Sequence, residues 1–203
     1  MIDTKDKILE TAERLIGEQG YAATSLRQII AEAGVNLAAV HYHFGSKEEL
    51  LDELVQRKAE KVNAIRMSRL QALEHAGGKP GVRVILDAFF EPALEMASSH
   101  PQFVRLMGRV ISEGMMPEIA ERHFYPTVQR FIRALQQALP GIPPAEVAMR
   151  GHFMLGALAH TMSSSPKTKK VAARDTELRR RMKMLVTFLA AGFSAPASKA
   201  EEA

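Results

Sequence analysis

The chain of 203 residues contains no cysteine. This absence excludes disulfide frameworks, thiolate zinc sites, iron–sulfur clusters and cysteine nucleophiles, and it is typical of a reducing compartment. Long apolar segments are also missing, because the most apolar stretch, residues 147–162, is interrupted by Arg150, His152 and His160 and is too short to cross a bilayer. The first twenty residues lack the basic start and apolar centre of a signal peptide. We therefore expect a cytoplasmic protein that does not enter the membrane.

Motifs for catalysis or metal binding are likewise absent. No nucleophile elbow occurs, and the run Gly77-Gly78-Lys79 lacks the upstream glycine of a phosphate loop. His41 and His43 are two positions apart, so a helix would direct them to different faces. His152 and His160 share a helical face but have no evident third ligand. We expect neither an enzyme nor a bound metal or other cofactor.

The formal net charge of +4 does not by itself locate a nucleic-acid site. Residues 1–75 contain 10 Lys or Arg and 12 Asp or Glu, so the basic excess lies in the remainder of the chain. Much of that excess falls in residues 167–183, and a solvated loop and helix face accounts for such a run.

The pattern of apolar residues predicts an all-α fold. Apolar side chains recur at intervals of three and four, and no segment shows a sustained two-residue alternation. Ser25 with Gln28 and Ser46 with Glu49 have the spacing of capping boxes, which marks two helix starts. About nine helices are predicted, at residues 3–20, 25–34, 37–44, 47–76, 82–98, 101–114, 117–139, 143–162 and 174–193.

Residues 26–44 have the layout of a helix-turn-helix, with two short helices and a turn that contains Gly34. A plain helical corner has the same pattern and remains an alternative. In a helix-turn-helix, the second helix enters the major groove. Val40 and Phe44 would face the core, which leaves Leu37, Ala38, His41 and Tyr42 nearer the groove and His43 at the border.

Residues 20–27 read GYAATSLR, and residues 33–50 read AGVNLAAVHYHFGSKEEL. These two runs resemble the N-terminal domain of the TetR/AcrR family of one-component regulators. The resemblance covers about residues 5–55. It implies an N-terminal domain that binds operator DNA, last two helices that form a dimer interface, and intervening helices that enclose an effector pocket.

The resemblance also implies roles for individual residues. Arg27 matches a residue that often reaches a base, Ser25 and Tyr42 match contacts to the DNA backbone, and Lys47 matches a phosphate contact. His41 departs from the family, which usually has tyrosine there. Arg27 as a solvated helix residue, Tyr42 as a core residue and His43 as a packing residue are the structural alternatives.

The predicted domains follow from this comparison. Residues 1–46 form the helix-turn-helix domain, 47–76 a connecting helix, 77–193 the effector-binding and dimerisation domain, and 194–203 a disordered tail. The slightly acidic N-terminal part offers few phosphate contacts for each copy, so DNA binding should need two copies. A symmetric interface is predicted at Leu155, Gly156, Ala159, Met182, Leu185, Phe188 and Leu189, with a buried intramolecular core as the alternative.

An apolar effector pocket is predicted among the middle helices, whose phenylalanine and methionine side chains offer adaptable apolar space. The candidate lining residues are Phe89, Phe90, Phe103, Met107, Phe124, His152 and Phe153, although ordinary core packing is the alternative for each. Possible polar anchors for a ligand carboxylate are Arg105, Arg109, His123, Arg150 and His152. Residues 103–108 and 152–157 resemble the PsrA-like branch of the family, which implies a long-chain fatty acid as effector.

The sequence therefore predicts a homodimeric repressor that binds a palindromic operator in double-stranded DNA and is released by a small apolar effector, such as a fatty acid or acyl derivative. The alternative is an all-helical carrier of lipids or drugs without a function on DNA.

Overall fold

The computed structural model describes residues 3–36, 42–114, 116–163 and 171–198, and the regular structure within these ranges is helical throughout. The helices are α1 Thr4–Gln19, α2 Leu26–Ala33, α3 Lys47–His75, α4 Val82–Ser99, α5 Pro101–Ser112, α6 Met116–His123, α7 Tyr125–Ala138, α8 Pro144–Ser163 and α9 Val171–Ser194. The predicted all-α fold is confirmed. Of the helix predicted at 37–44, residues 42–44 are helical, and residues 37–41 lie outside the described ranges.

The single helix predicted at residues 117–139 is wrong. The structure has two helices there, and Phe124 separates α6 from α7. Pro126 explains the break, because in a continuous helix its ring would clash with the carbonyl group of residue 122. As the second residue of α7, Pro126 lies in a first turn, where its missing N–H group costs no hydrogen bond.

Two predicted helix caps are present, and in each the serine side chain accepts a hydrogen bond from the amide three residues later. Ser25 Oγ accepts a hydrogen bond from Gln28 N at 3.1 Å, and Ser46 Oγ accepts one from Glu49 N at 3.1 Å. The Gln28 side chain accepts a hydrogen bond from Gln19 Nε2 at 2.8 Å. The two serines thus fix the starts of α2 and α3.

The chain divides into two compact units, of which the first contains Met1–Lys61 and Ser99–Phe124. Helix α1 packs against α2 and α5 in this unit. Its predicted apolar stripe is buried, at Ile8, Leu9, Ala12, Leu15 and Ile16. Sequence reasoning assigned α5 and α6 to the later domain because they follow the glycine-rich linker, whereas the structure groups them with the N-terminal helices.

Gly17 allows α5 to approach α1 closely. A Cβ atom at this position would lie 3.3 Å from Gln102 O and 3.4 Å from Leu106 N, both of which are backbone atoms of α5. Ion pairs fix the first part of α3 in the same unit: Lys5 Nζ lies 2.7 Å from Glu53 Oε1, and Lys58 Nζ lies 3.3 Å from the buried Glu13.

The second unit contains Val62–Ser98 and Tyr125–Ala203. Its core includes the buried rings of Phe89, Phe90 and Phe131. The Phe89 ring makes edge-to-face contacts with the other two, at centroid distances of 5.3 Å to Phe90 and 5.1 Å to Phe131. Helix α8 packs against α7 and α9 in this unit.

The start of the predicted disordered tail is ordered, because α8 binds it. Ser194 is the last residue of α9. Arg150 donates to Ala195 O and Pro196 O at 2.8 Å each, and the Ser198 amide donates to Glu146 at 3.1 Å. The prediction for residues 194–198 is therefore corrected, since their backbone groups have side-chain partners on α8.

Within the described ranges, no helix combines the length and the apolar composition needed to cross a membrane. The same residues include no group of three or more His, Asp or Glu side chains arranged to hold a metal ion.

We predict that Gly17→Val lowers the free energy of unfolding by about 1–3 kcal/mol, because the side chain would press on the backbone of α5. Urea denaturation measures this change. Gly192→Val is the matched control, since a Cβ atom at Gly192 meets nothing within 4 Å, and it should be nearly neutral. Equal stability of the two variants would contradict the close contact between α1 and α5.

Candidate nucleic-acid interface

The turn between α1 and α2 positions the start of the helix-turn-helix. Thr24 Oγ1 donates to Gly20 O at 2.7 Å, and Thr24 N donates to Tyr21 O at 3.2 Å. The Thr24 side chain is buried. Ser25, the N-cap of α2, follows directly, so the geometry of this turn sets where α2 begins.

Lys47, the first residue of α3, holds this turn from one side. Its ammonium group donates to Tyr21 O and to Thr24 O, both at 2.8 Å, and lies 3.9 Å from the centre of the Tyr21 ring. Burial lowers the pKa of Lys47 below its ordinary value, while the nearby Glu113 carboxylate acts in the opposite direction. Two of the three ammonium donors are therefore directed at protein carbonyl groups. The predicted phosphate contact of Lys47 stays a prediction, and the structure adds a second role for this residue.

Glu113, at the end of α5, binds backbone N–H groups of this turn. Its carboxylate accepts from Tyr21 N at 3.1 Å and from Ala22 N at 3.0 Å. Gly20 has a φ of 97°, and a Cβ atom there would overlap Glu113 Oε1. Sequence reasoning missed Glu113, because its partners are 91 and 92 positions away in the chain and no local pattern connects them.

Helix α5 makes a further contact, with the end of α1. Arg109 Nη2 donates to Glu18 O at 3.2 Å, and Glu18 belongs to the last turn of α1, where backbone carbonyl groups have no partner within the helix. Helix α5 thus binds both the end of α1 and the turn that follows it.

Two of the predicted DNA-contacting side chains, those of Arg27 and Tyr42, are exposed. Arg27 on α2 is exposed, and no described residue binds its guanidinium group. Tyr42 is 86% exposed, whereas Phe44 is buried, which separates a solvent-facing position from the predicted core position. His43 is half-buried, with its ring in edge-to-face contact with Tyr42 at 5.2 Å. The exposure of Tyr42 excludes the core alternative for this residue.

Ser25 is exposed, and its oxygen caps α2 while its hydroxyl proton is free to donate. The predicted groove-facing residues Leu37, Ala38 and His41 lie outside the described ranges. Gly34, in the turn that precedes them, has the left-handed conformation with φ 66°, as expected for the end of a helix.

The predicted effector-pocket residues do not lie together in one unit. Phe89 and Phe90 are buried in the second unit, whereas Phe103 and Met107 are buried in the first. Phe124 is half-buried and also belongs to the first unit.

Two of the predicted pocket residues lie on the accessible side of α8. Phe153 is 64% exposed, and the neighbouring His152 is exposed as well. Both side chains therefore face away from the core of the second unit.

The predicted interface residues also separate by burial. Phe188 is 70% exposed, and Leu155, Gly156, Ala159 and Leu185 are at least partly accessible. Met182 and Leu189 are buried in the core of their own unit, so their assignment to an interface is corrected. Two further exposed residues were missed, Met149 and Met184. Their i, i+4 spacing from Phe153 and Phe188 is the sequence signal that would have grouped them.

We predict that Glu113→Ala accelerates hydrogen exchange of the Tyr21 and Ala22 amides by about 5- to 30-fold, because both lose a charged acceptor. Amide exchange followed by NMR measures this effect. Leu9 and Ala12, in the buried stripe of α1, should exchange as in the wild type. If the variant exchanges at Tyr21 and Ala22 as the wild type does, the carboxylate does not hold the turn.

Two protein families match the sequence of this chain. The family described as "Bacterial regulatory proteins, tetR family" matches residues 8–54, and the family described as "Tetracyclin repressor-like, C-terminal domain" matches residues 87–192. Together they cover the turn, α2 and most of the second unit outside α3.

Individual relatives agree with these matches. The chain is 29% identical to the uncharacterized HTH-type transcriptional regulator YerO of Bacillus subtilis over 145 residues, which is 68% of this chain and 46% of YerO. It is 32% identical to the HTH-type transcriptional repressor Rv3405c of Mycobacterium tuberculosis over 108 residues, 51% of this chain and 56% of Rv3405c. The matches thus span about half the length of these relatives.

The fold also matches solved structures. A putative TetR-family transcriptional regulator from Syntrophomonas wolfei superposes with a TM-score of 0.70 at 17% identity, covering 95% of each chain. With both family matches in sequence order, and one of them covering half of the chain, the chain belongs to the TetR family of transcriptional regulators.

Proposed function

We propose that the protein is a homodimeric transcriptional repressor that binds a palindromic operator in the cytoplasm and is released by a small apolar effector. The observation that carries the proposal is the accessible pair Arg27 and Tyr42 beside a turn that Lys47 and Glu113 hold in place. A rigid support with free polar side chains is what base and phosphate recognition requires. The name of the relative Rv3405c, a repressor, supports the direction of regulation.

Each accessible residue has a chemical role in this proposal. Arg27 pairs with guanine O6 and N7, because a guanidinium group matches these acceptors in two-point geometry. Tyr42 and Ser25 donate their hydroxyl protons to phosphate oxygens. The remaining donor of Lys47 reaches a phosphate at the start of α3, where the helix dipole favours an anion.

The dimer forms through the exposed apolar side chains of α8 and α9. Phe153 and Met149 lie on α8, and Phe188 and Met184 lie on α9, and each is at least half exposed in the single chain. Large apolar side chains concentrated on two packed helices indicate an interaction surface. A twofold axis presents the same surface from both copies and places two recognition helices about one DNA turn apart or slightly more.

The effector acts through the second unit. Helix α3 is continuous from Lys47 to His75, with residues 47–61 in the first unit and residues 62–75 in the second. An effector that favours one conformation of residues 62–75 therefore acts on the same helix that holds the turn at its other end. Coupling of about 1–3 kcal/mol, roughly 5- to 150-fold in affinity, is typical of such regulation.

We predict that Arg27→Ala lowers the discrimination between operator and random duplex by about 1–3 kcal/mol, whereas Lys47→Met weakens binding to both duplexes and reduces the salt slope by about 1. Gel shifts on DNA flanking the coding region, repeated at several salt concentrations, measure both effects. Equal losses on both duplexes for Arg27→Ala would reject its base-reading role. Weak binding of the wild type that salt abolishes on every duplex would instead favour the lipid or drug carrier.

We predict that Phe188→Glu yields monomers at micromolar concentration, because it places two charges in a desolvated apolar interface. Sedimentation velocity measures the oligomeric state, and binding to a two-half-site operator should fall with it. Val84→Glu is the control, since Val84 is 46% exposed but lies on α4. A Phe188→Glu variant that stays dimeric would place the interface elsewhere.

A further inference from the structure

Arg66 on α3 is more deeply buried than any other charged side chain in the described part of the chain, with 4% of its surface exposed. Its Nε donates to Phe89 O at 2.9 Å, and its Nη1 donates to Asn63 Oδ1 at 3.3 Å. Both acceptors are neutral. No carboxylate of the described residues lies within ion-pair distance of this guanidinium group.

The other arginines of the second unit differ from Arg66. Arg69 contacts Glu91 and Glu95, each at 2.7 Å, and Arg130 contacts Glu74 at 2.9 Å. These pairs are at least partly exposed, so water shares in compensating their charge. The one deeply buried guanidinium group is thus without an acid partner among the described residues.

An uncompensated buried cation is costly. Burial alone lowers the pKa of Arg66 to about 9, so the group remains charged at neutral pH. Buried ions in proteins are ordinarily paired with an opposite charge. Because burying the Arg66 charge lowers the stability of the fold, its presence indicates a role beyond packing.

The surroundings of Arg66 define the chemistry of a partner. The guanidinium carbon Cζ lies over the Phe89 ring, 4.0 Å from the ring centre. No described residue accepts from Nη2, which is free to donate to an anion. A carboxylate oxygen can accept a charge-assisted hydrogen bond from this group.

We propose that Arg66 anchors the carboxylate group of the effector, whose apolar body packs against the cluster of Phe89, Phe90 and Phe131. This inference rests on the proposed function only in treating the second unit as the effector-binding part of the protein. It narrows the effector from any small apolar molecule to an organic acid with an apolar chain or ring.

The anchors predicted from the sequence lack this environment. Arg105 and His152 are exposed. Arg109 donates to Glu18 O, and His123 Nε2 lies 2.8 Å from Asp52. The donors of Arg150 reach Glu146 and backbone carbonyl groups at the end of α9 and beyond it.

Binding of two matched acid and alcohol pairs tests the proposal on the full chain. The probes are dodecanoate with dodecanol and 4-phenylbutyrate with 4-phenylbutanol, measured by calorimetry and by thermal shift below micellar concentrations. At least one acid should bind the wild type about 10- to 100-fold more tightly than its alcohol, as expected for a hydrogen-bonded charge pair. Arg66→Met should abolish this preference and leave the affinity of the alcohol unchanged.

Two variants serve as controls. Arg133→Met removes an exposed charge from the same unit and should keep the full preference for the acid. Arg66→Lys retains the charge without the planar fork and should keep part of the preference, which also tests the proposal if Arg66→Met does not fold.

Equal binding of acid and alcohol to the wild type, for both pairs, overturns the proposal. A preference that persists in Arg66→Met overturns it as well. These assays contain no DNA, so a failure of operator binding would contradict the proposed function while leaving the result for Arg66 intact.

Discussion

The turn between α1 and α2 depends on two charged side chains that approach it from different parts of the chain. Glu113 accepts from the amides of Tyr21 and Ala22, and Lys47 donates to the carbonyl groups of Tyr21 and Thr24. A turn leaves such backbone groups without helical partners, so side chains or water must supply them. Two oppositely charged side chains supply both kinds at once. These contacts therefore fix the position at which α2 begins.

The side chains that hold the turn differ in their surroundings from Arg27 and Tyr42. Lys47 and Glu113 direct their charges mainly at protein backbone, whereas Arg27 and Tyr42 project into solvent. Anchoring groups that are satisfied within the protein cost little to keep in place, and free groups retain their hydrogen-bonding capacity for a partner. Arg27 and Tyr42 are therefore available for the proposed DNA contacts, although the N-terminal part has a slightly acidic balance.

In the second unit, several arginines also have carboxylate or carbonyl partners, and Arg66 differs from them. Its exposed arginines contact carboxylates, and Arg150 contacts the carbonyl groups that follow α9. Arg66 alone among the described arginines of this unit combines deep burial with neutral partners. Stability is not the reason to retain such a group, since a buried cation without a counter-charge lowers it. The environment of Arg66 therefore supports the proposed binding of an acidic ligand. The exposed phenylalanines of α8 and α9 support the proposed contact with a second copy of the chain.

The all-α fold and the capped starts of α2 and α3 could be predicted from the sequence, because they depend on residues three or four positions apart. The resemblance to the family was equally local, because it lies in two contiguous runs of residues. Pro126 was also a local signal, and it was overlooked. Tertiary structure alone decided which side of α8 and α9 is buried, so that Met182 became a core residue and Phe153 a surface residue. It alone revealed Glu113 and Arg66, since burial and distant hydrogen bonds arise from packing between helices far apart in the chain.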